Sequence, residues 1–207
     1  MTAAECSTRV GRILPRVRAW RLVTAALVVL VSQACLVVSL QPVYEPDIIA
    51  FDPGLVGTWT MGEDGVTATF ERGEWHSYHL TLEQRDDRTR LSARLTRVGE
   101  LTYLDISPLD GTDLPALALP VHAVYRVDLK GDELSLSDLN FEVLERRVRE
   151  GTSTLPAVID ARKNVVITAS TVELRRWLVD HAAEEGLFDP PTTFTRVPSP
   201  APTVTPR

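Results

Sequence analysis

The sequence is short of cysteine, of lysine and of aromatic residues, and each shortage closes off a class of protein. Both cysteines, Cys6 and Cys35, lie within the first 35 residues, so the rest of the chain has neither a disulfide framework nor a cysteine-based metal site. Two of the 22 basic residues are Lys, an arginine excess that reflects coding composition rather than chemistry. Five of those 22 and only one of the 28 acidic residues fall in the first 34 positions, which leaves the remainder a formal net charge of −10. A surface that acidic is wrong for nucleic acid, whose phosphates require a basic one. Motifs of catalysis are also missing. There is no Gly-x-Ser-x-Gly elbow, no His-Glu-x-x-His, no glycine-rich phosphate loop and no calcium loop, and no cofactor or metal is expected.

What is present is an uncharged run over 22–40, LVTAALVVLVSQACLVVSL. As a helix it would span roughly 28 Å, near the ~30 Å hydrocarbon core of a bilayer. Arg9, Arg12, Arg16, Arg18 and Arg21 precede it, and no Lys or Arg follows until Arg72. That asymmetry predicts a basic cytoplasmic segment at 1–21 and an extracytoplasmic remainder. Three attachments satisfy the run. It can be an uncleaved transmembrane anchor, because Leu36, Val37, Val38 and Leu40 continue it. It can be a cleaved secretory signal with small residues at Ser32-Gln33-Ala34. It also resembles a bacterial lipoprotein signal, in which Cys35 would carry the lipid, although that pattern places Leu, Val or Ile where Ser32 stands. The expected partner is therefore the membrane, reached through 22–40 or a lipid on Cys35, and the expected location is the bacterial cell envelope.

Residues 41–54 hold three prolines without periodicity and read as an extended linker; 198–207 reads as a Pro-rich disordered tail. Between them the pattern has period two, broken by turn residues. Strands are predicted at 55–61, 66–70, 78–82, 91–95, 101–106, 121–129 and 134–136, consecutive and antiparallel on short turns. A helix is predicted at 138–150, with Phe141, Leu144 and Val148 on one face, and a buried strand at 165–169. Ser170-Thr171-Val172-Glu173 is a capping box that opens an amphipathic helix carrying Leu174, Trp177, Leu178 and His181 and stopping at Gly186. A short closing strand follows at 193–197. The fold class is mainly β with α: a meander closing into a small barrel, with one inserted and one C-terminal helix, since closure removes exposed edges.

Gly57-Thr58-Trp59 opens that meander, and the last strand holds Arg196. In this the stretch 55–197 resembles the lipocalin-like superfamily. There, a Gly-x-Trp on the first strand plugs the barrel base and a late Arg covers the indole. The resemblance implies that Gly57, Trp59 and Arg196 form a structural motif. Two features depart from the family: Thr112-Asp113 is followed by Leu114-Pro115 rather than by the second signature, and a helix interrupts the meander.

If the barrel is hollow, its lining is expected from Phe70, Tyr78, Leu80, Leu82, Tyr103, Tyr125 and Val127, with Asp105 as a polar group inside its strand. The matching ligand is a small apolar or amphipathic molecule. If the barrel is filled by its own side chains, the protein is structural or partner-binding. His76 and His79, three apart on a strand, face opposite sides and cannot share a metal. His122 is expected at the surface, and His181 at the edge of the helix's apolar face. Arg146, Arg147 and Arg149 form a solvated basic face.

Overall fold

Eight of the alternating segments hydrogen-bond in a ring. A computed structural model describes residues 36–62, 65–109 and 120–198. The chain divides into two units, Met1–Ala34 and Cys35–Arg207, and every described residue belongs to the second. The apolar run up to Cys35, the tail beyond 198 and the Thr112-Asp113 segment thus lie outside the described residues. Strands β3 (Gly57–Met61), β4 (Val66–Arg72), β5 (Tyr78–Gln84), β6 (Asp87–Val98), β7 (Leu101–Pro108), β8 (Ala123–Lys130) and β9 (Glu133–Asp138) pair in sequence. β12 (Thr192–Arg196) joins β9 to β3, and β6 pairs with β7. The result is a closed, eight-stranded antiparallel barrel.

Its interior packs by opposing large and small residues in the register. Trp59 faces Ala68, Phe70 faces Gly57 and Tyr78 faces Ala93. A narrow barrel can hold three bulky rings in this way because each has alanine or glycine on one flank, even where the other flank is large, as with Leu80 beside Phe70. Leu80, Leu95, Leu104, Leu134 and Phe194 complete the core.

Closure rests on one contact. Arg196 lies opposite Trp59 in the β12–β3 register, and its guanidinium sits 4.1 Å from the indole centroid. The same fork donates to Val56 O at 3.0 Å and to Gly54 O, and pairs with Asp132 at 2.9 Å. Gly57 makes room for it: a Cβ there would stand 2.6 Å from Arg196 Nη1, and its φ of +138° suits only glycine. Glycine two residues before the tryptophan is thus a requirement of the arginine.

A second layer covers the outer wall of β6–β8. Helices α1 (Phe141–Glu150) and α2 (Thr171–Asp180) and a three-stranded sheet, β1 (Val37–Ser39), β11 (Val165–Ile167) and β10 (Ala157–Ile159), enclose a second core around Tyr103, Val124, Leu144, Ile167, Leu174 and Trp177. Asn140 caps α1 and the predicted capping box opens α2. All four elements between β9 and β12 form the insertion. Among the described residues no helix is long and apolar enough to cross a membrane.

The end of the apolar run and the segment after it differ from expectation. Val37–Ser39 form a strand parallel to β11, and Ser39 is fully buried. Residues 41–54 cross the barrel wall instead of hanging free. Val43 is fully buried, β2 (Ile49–Ala50) pairs with β6, and a turn at Pro53–Leu55 seats Leu55 in the barrel base. Proline removes donors without preventing burial, and here Arg175 and Thr171 bond the carbonyls of Val43 and Pro42 at 2.9 and 2.8 Å.

Trp59→Ala is expected to cost about 3–5 kcal/mol as a buried aromatic truncation, and Gly57→Ala about 1–3 kcal/mol through backbone strain. Arg196→Ala should cost about 2 kcal/mol by stranding two carbonyls. Urea denaturation of each variant reads these losses, and an unchanged midpoint for Gly57→Ala would remove the glycine's assigned role.

Candidate functional site

Two places concentrate the residues singled out in the sequence: the barrel interior and the outer face of β7. In the interior, Phe70, Tyr78, Leu80, Leu82, Tyr125 and Val127 all point inward. Side chains fill most of the lower half. Phe70, Tyr78, Leu80, Leu104 and Leu134 are at most 2% exposed, so they touch side chains rather than open space. At the base, Phe51 stacks on Tyr78 with centroids 5.0 Å apart, and Arg72 lies 4.8 Å from the Phe51 centroid. The Tyr78 hydroxyl accepts from Asp52 N at 2.7 Å and donates to Asp52 O at 3.0 Å. A cavity of about 200 Å³ beside Leu55, Leu95 and Leu129 shares Thr102 with two wider, open clefts, about 440 Å³ over Phe51 and Leu95 and about 490 Å³ over Leu101 and Arg126. Met61, Val66, Leu82, Leu91, Ile106 and Leu136 are only partly buried and pack against this core.

Tyr103 and Asp105 require correction. Both were expected inside with the lining set, and both face outward into the second layer. β7 is apolar on each face, Leu104 and Ile106 on one and Leu101 and Tyr103 on the other, because each face meets a core. Alternation therefore gives no choice of side. Tyr103 packs against Phe188, and its buried hydroxyl has no hydrogen-bond partner; burial raises its pKa, which the Arg126 charge opposes.

Asp105, 1% exposed, holds the segment that precedes the barrel. One carboxylate oxygen accepts from Val43 N at 2.8 Å and the other lies 2.6 Å from His122 Nδ1. His122, expected at the surface, is only 9% exposed. Its backbone exchanges two 2.8 Å hydrogen bonds with Ser39, and Tyr44 meets its ring edge-on at 6.4 Å. Sequence patterning missed the pair because the cover over β8 comes from residues 36–44, some eighty positions away. The arrangement is a bolt: an acceptor-only carboxylate without solvent, satisfied by a backbone amide and an imidazole.

The other histidines stay apart. His76 lies in the β4–β5 turn at φ 61°, His79 sits on β5, and His181 stacks on Trp177. Among the described residues no three His, Cys, Asp or Glu gather as metal ligands. Arg147 and Arg149 of the basic face pair with Glu184 and Glu145. The chain matches no family model, no curated protein and no solved structure.

Burial pushes the Tyr78 hydroxyl up to about 12, with Asp52's charge adding and its backbone hydrogen bond opposing. Burial and then Asp138 push Tyr125 to about 12 as well. Unfolded tyrosine loses its proton near 10. Between the two values the unfolded chain binds fewer protons, so stability is full below about pH 10 and falls as pH rises towards 12. Urea midpoints across that window should drop, and less steeply in Tyr78→Phe. Asp105→Ala should cost about 3 kcal/mol by leaving the Val43 amide and His122 unpaired. It should also speed amide exchange at Val43; exchange there unchanged from wild type would refute the bolt.

Proposed function

We propose that this chain is a structural or partner-interaction protein of the bacterial cell envelope, built on a lipocalin-like barrel and held on the outer side of the membrane. One observation carries the reading against a carrier: the interior side chains fill most of the barrel's lower half, with Trp59 opposite Ala68, Tyr78 opposite Ala93 and Arg196 over the base. A carrier needs a continuous cavity of about 300 Å³ or more with a few convergent polar groups. Tyr103 and Asp105, two polar candidates for that role, turn outward to the second core. The closed ring, the Gly57-x-Trp59 motif and the covering Arg196 support the lipocalin-like assignment.

The arginine bias across 22–40 supports the location. Strand β1 also bears on the attachment. With Val37–Ser39 paired to β11, the apolar residues left for a helix run from 22 to 36, roughly 22 Å, against a ~30 Å core. That length suits the apolar centre of a leader better than a spanning anchor. This favours removal of the leader before Cys35, with or without lipid on that cysteine.

Intact mass of the purified protein should show a mature N-terminus at Cys35, and a full-length mass would restore the uncleaved anchor. A fluorescent fatty acid titrated into the native protein should show no saturable uptake. Saturable uptake that Leu82→Trp abolishes, with the fold retained, would replace the structural reading by that of a carrier for an apolar ligand.

A further inference from the structure

The open cleft of about 490 Å³ lies on the outer wall of β7–β9, beside the β6–β7 turn, and is lined by Arg126 and Ser137. These two stand directly opposite each other in the β8–β9 register. Five described arginines are partly buried: Arg94, Arg126, Arg147, Arg175 and Arg196. Four of them donate to an oxygen. Arg94 reaches the Ser92 hydroxyl, Arg147 the Glu184 carboxylate, and Arg175 and Arg196 reach backbone carbonyls. Arg126 donates to no acceptor among the described residues. Its guanidinium lies 4.7 Å from the centroid of the Phe188 ring, which holds it in place and leaves its five N–H donors unpaired. Ser137 is 3% exposed, and its hydroxyl has no partner among the described residues either. A half-buried guanidinium without an acceptor carries a desolvation cost that nothing else in the chain returns.

The charges around Arg126 decide which anion fits. Glu100, in the β6–β7 turn, forms no ion pair with a described residue, and Asp128 is paired with Lys130. Arg126 and Lys130 against Glu100 and Asp128 leave the cleft formally neutral. A single negative charge is therefore tolerated next to the guanidinium, whereas a phosphate dianion would add a second beside two carboxylates. The remaining wall is apolar and reachable: Leu101 and Val127 are partly exposed and Pro191 is exposed.

We propose that this cleft binds a monocarboxylate attached to an apolar group. A planar carboxylate accepts two parallel N–H bonds from a guanidinium fork, which a neutral ligand cannot do with the same strength. Residues opposite each other on antiparallel strands have Cβ atoms roughly 4.5–5.5 Å apart, so the Ser137 hydroxyl can donate to the same carboxylate. The apolar group lies along Leu101, Val127 and Pro191. A free organic acid and the C-terminus of a polypeptide both present this chemistry. The site is on the outer wall, so it does not depend on what fills the barrel.

NMR of the ¹⁵N-labelled full-length protein in a neutral detergent reads the Arg126 Nε–H directly, its signal assigned by its loss in Arg126→Lys. Benzoate supplies the carboxylate on a small acid and N-acetylalanylleucine supplies it at a chain end. At least one should shift that signal saturably, and the tighter of the two identifies the source. Benzamide and inorganic phosphate should leave it in place. Ser137→Ala should weaken carboxylate binding about threefold, the loss of one hydrogen bond. In Arg126→Gln, binding followed at the Ser137 amide should weaken about tenfold or more. Arg162→Gln, in the β10–β11 turn, should leave binding unchanged. The proposal is overturned if neither carboxylate moves the Arg126 signal, or if benzamide or phosphate moves it as far at equal concentration. It is also overturned if Arg126→Gln, with the wild-type thermal transition retained, binds as tightly as wild type.

Discussion

The barrel depends on one stacked pair, Arg196 over Trp59. A sheet of eight strands closes only if its last strand finds its first, and β12 is five residues long and arrives after an insertion of more than fifty. Backbone pairing to β3 covers two register positions, Thr195 with Thr60 and Arg196 with Trp59. The guanidinium supplies the rest: it lies on the indole, binds two carbonyls of the preceding turn and pairs with Asp132 in the β8–β9 turn. It therefore joins both neighbours of β12 to the plug beneath them. Arginine suits the place because a planar fork can stack and donate at once, which a lysine ammonium cannot.

Outside the barrel the logic is different. The second core would leave the wall of β7 and β8 exposed without the insertion, and it would leave the insertion's sheet without an inner strand if β1 were absent. Residues 36–50 serve both: β1 completes the three-stranded sheet, Ser39 bridges to His122, and Val43 is bolted by Asp105. Arg175 of α2 extends the connection, donating to Val43 O, Thr96 Oγ1 and the Arg97 carbonyl. Helix, segment and barrel wall meet at one side chain. A chain built this way has two cores whose common border is β7, the strand that is apolar on both faces.

That border also marks how far the sequence could be read. Strands outside the second layer, such as β4 with Val66, Ala68 and Phe70 inward, are legible because period two separates core from water. The capping box at Ser170 and the Gly57-x-Trp59 motif were legible because their physics is local. β7 was not, since Tyr103 and Leu104 are equally apolar and only the tertiary cover assigns their sides. The segment 41–54 has the pattern of a linker and the packing of a wall segment, because three prolines without periodicity describe a free chain and a bolted one alike. Asp105 and His122 are seventeen residues apart and meet under a third segment, a coincidence that no window on the sequence contains.

The central claim is that Trp59 and Arg196 hold the barrel shut around a filled interior. The Trp59 indole N–H reports on it directly, because it is fully buried and donates to Leu55 O at 2.9 Å inside the base. If closure depends on this pair, that proton exchanges with solvent deuterium only through global unfolding. Its opening free energy by hydrogen-exchange NMR should then equal the stability from urea denaturation and fall with it in Arg196→Ala. Exchange of the indole proton orders of magnitude faster than global unfolding, with β4–β8 still protected, would show that β12 opens on its own and would contradict the account.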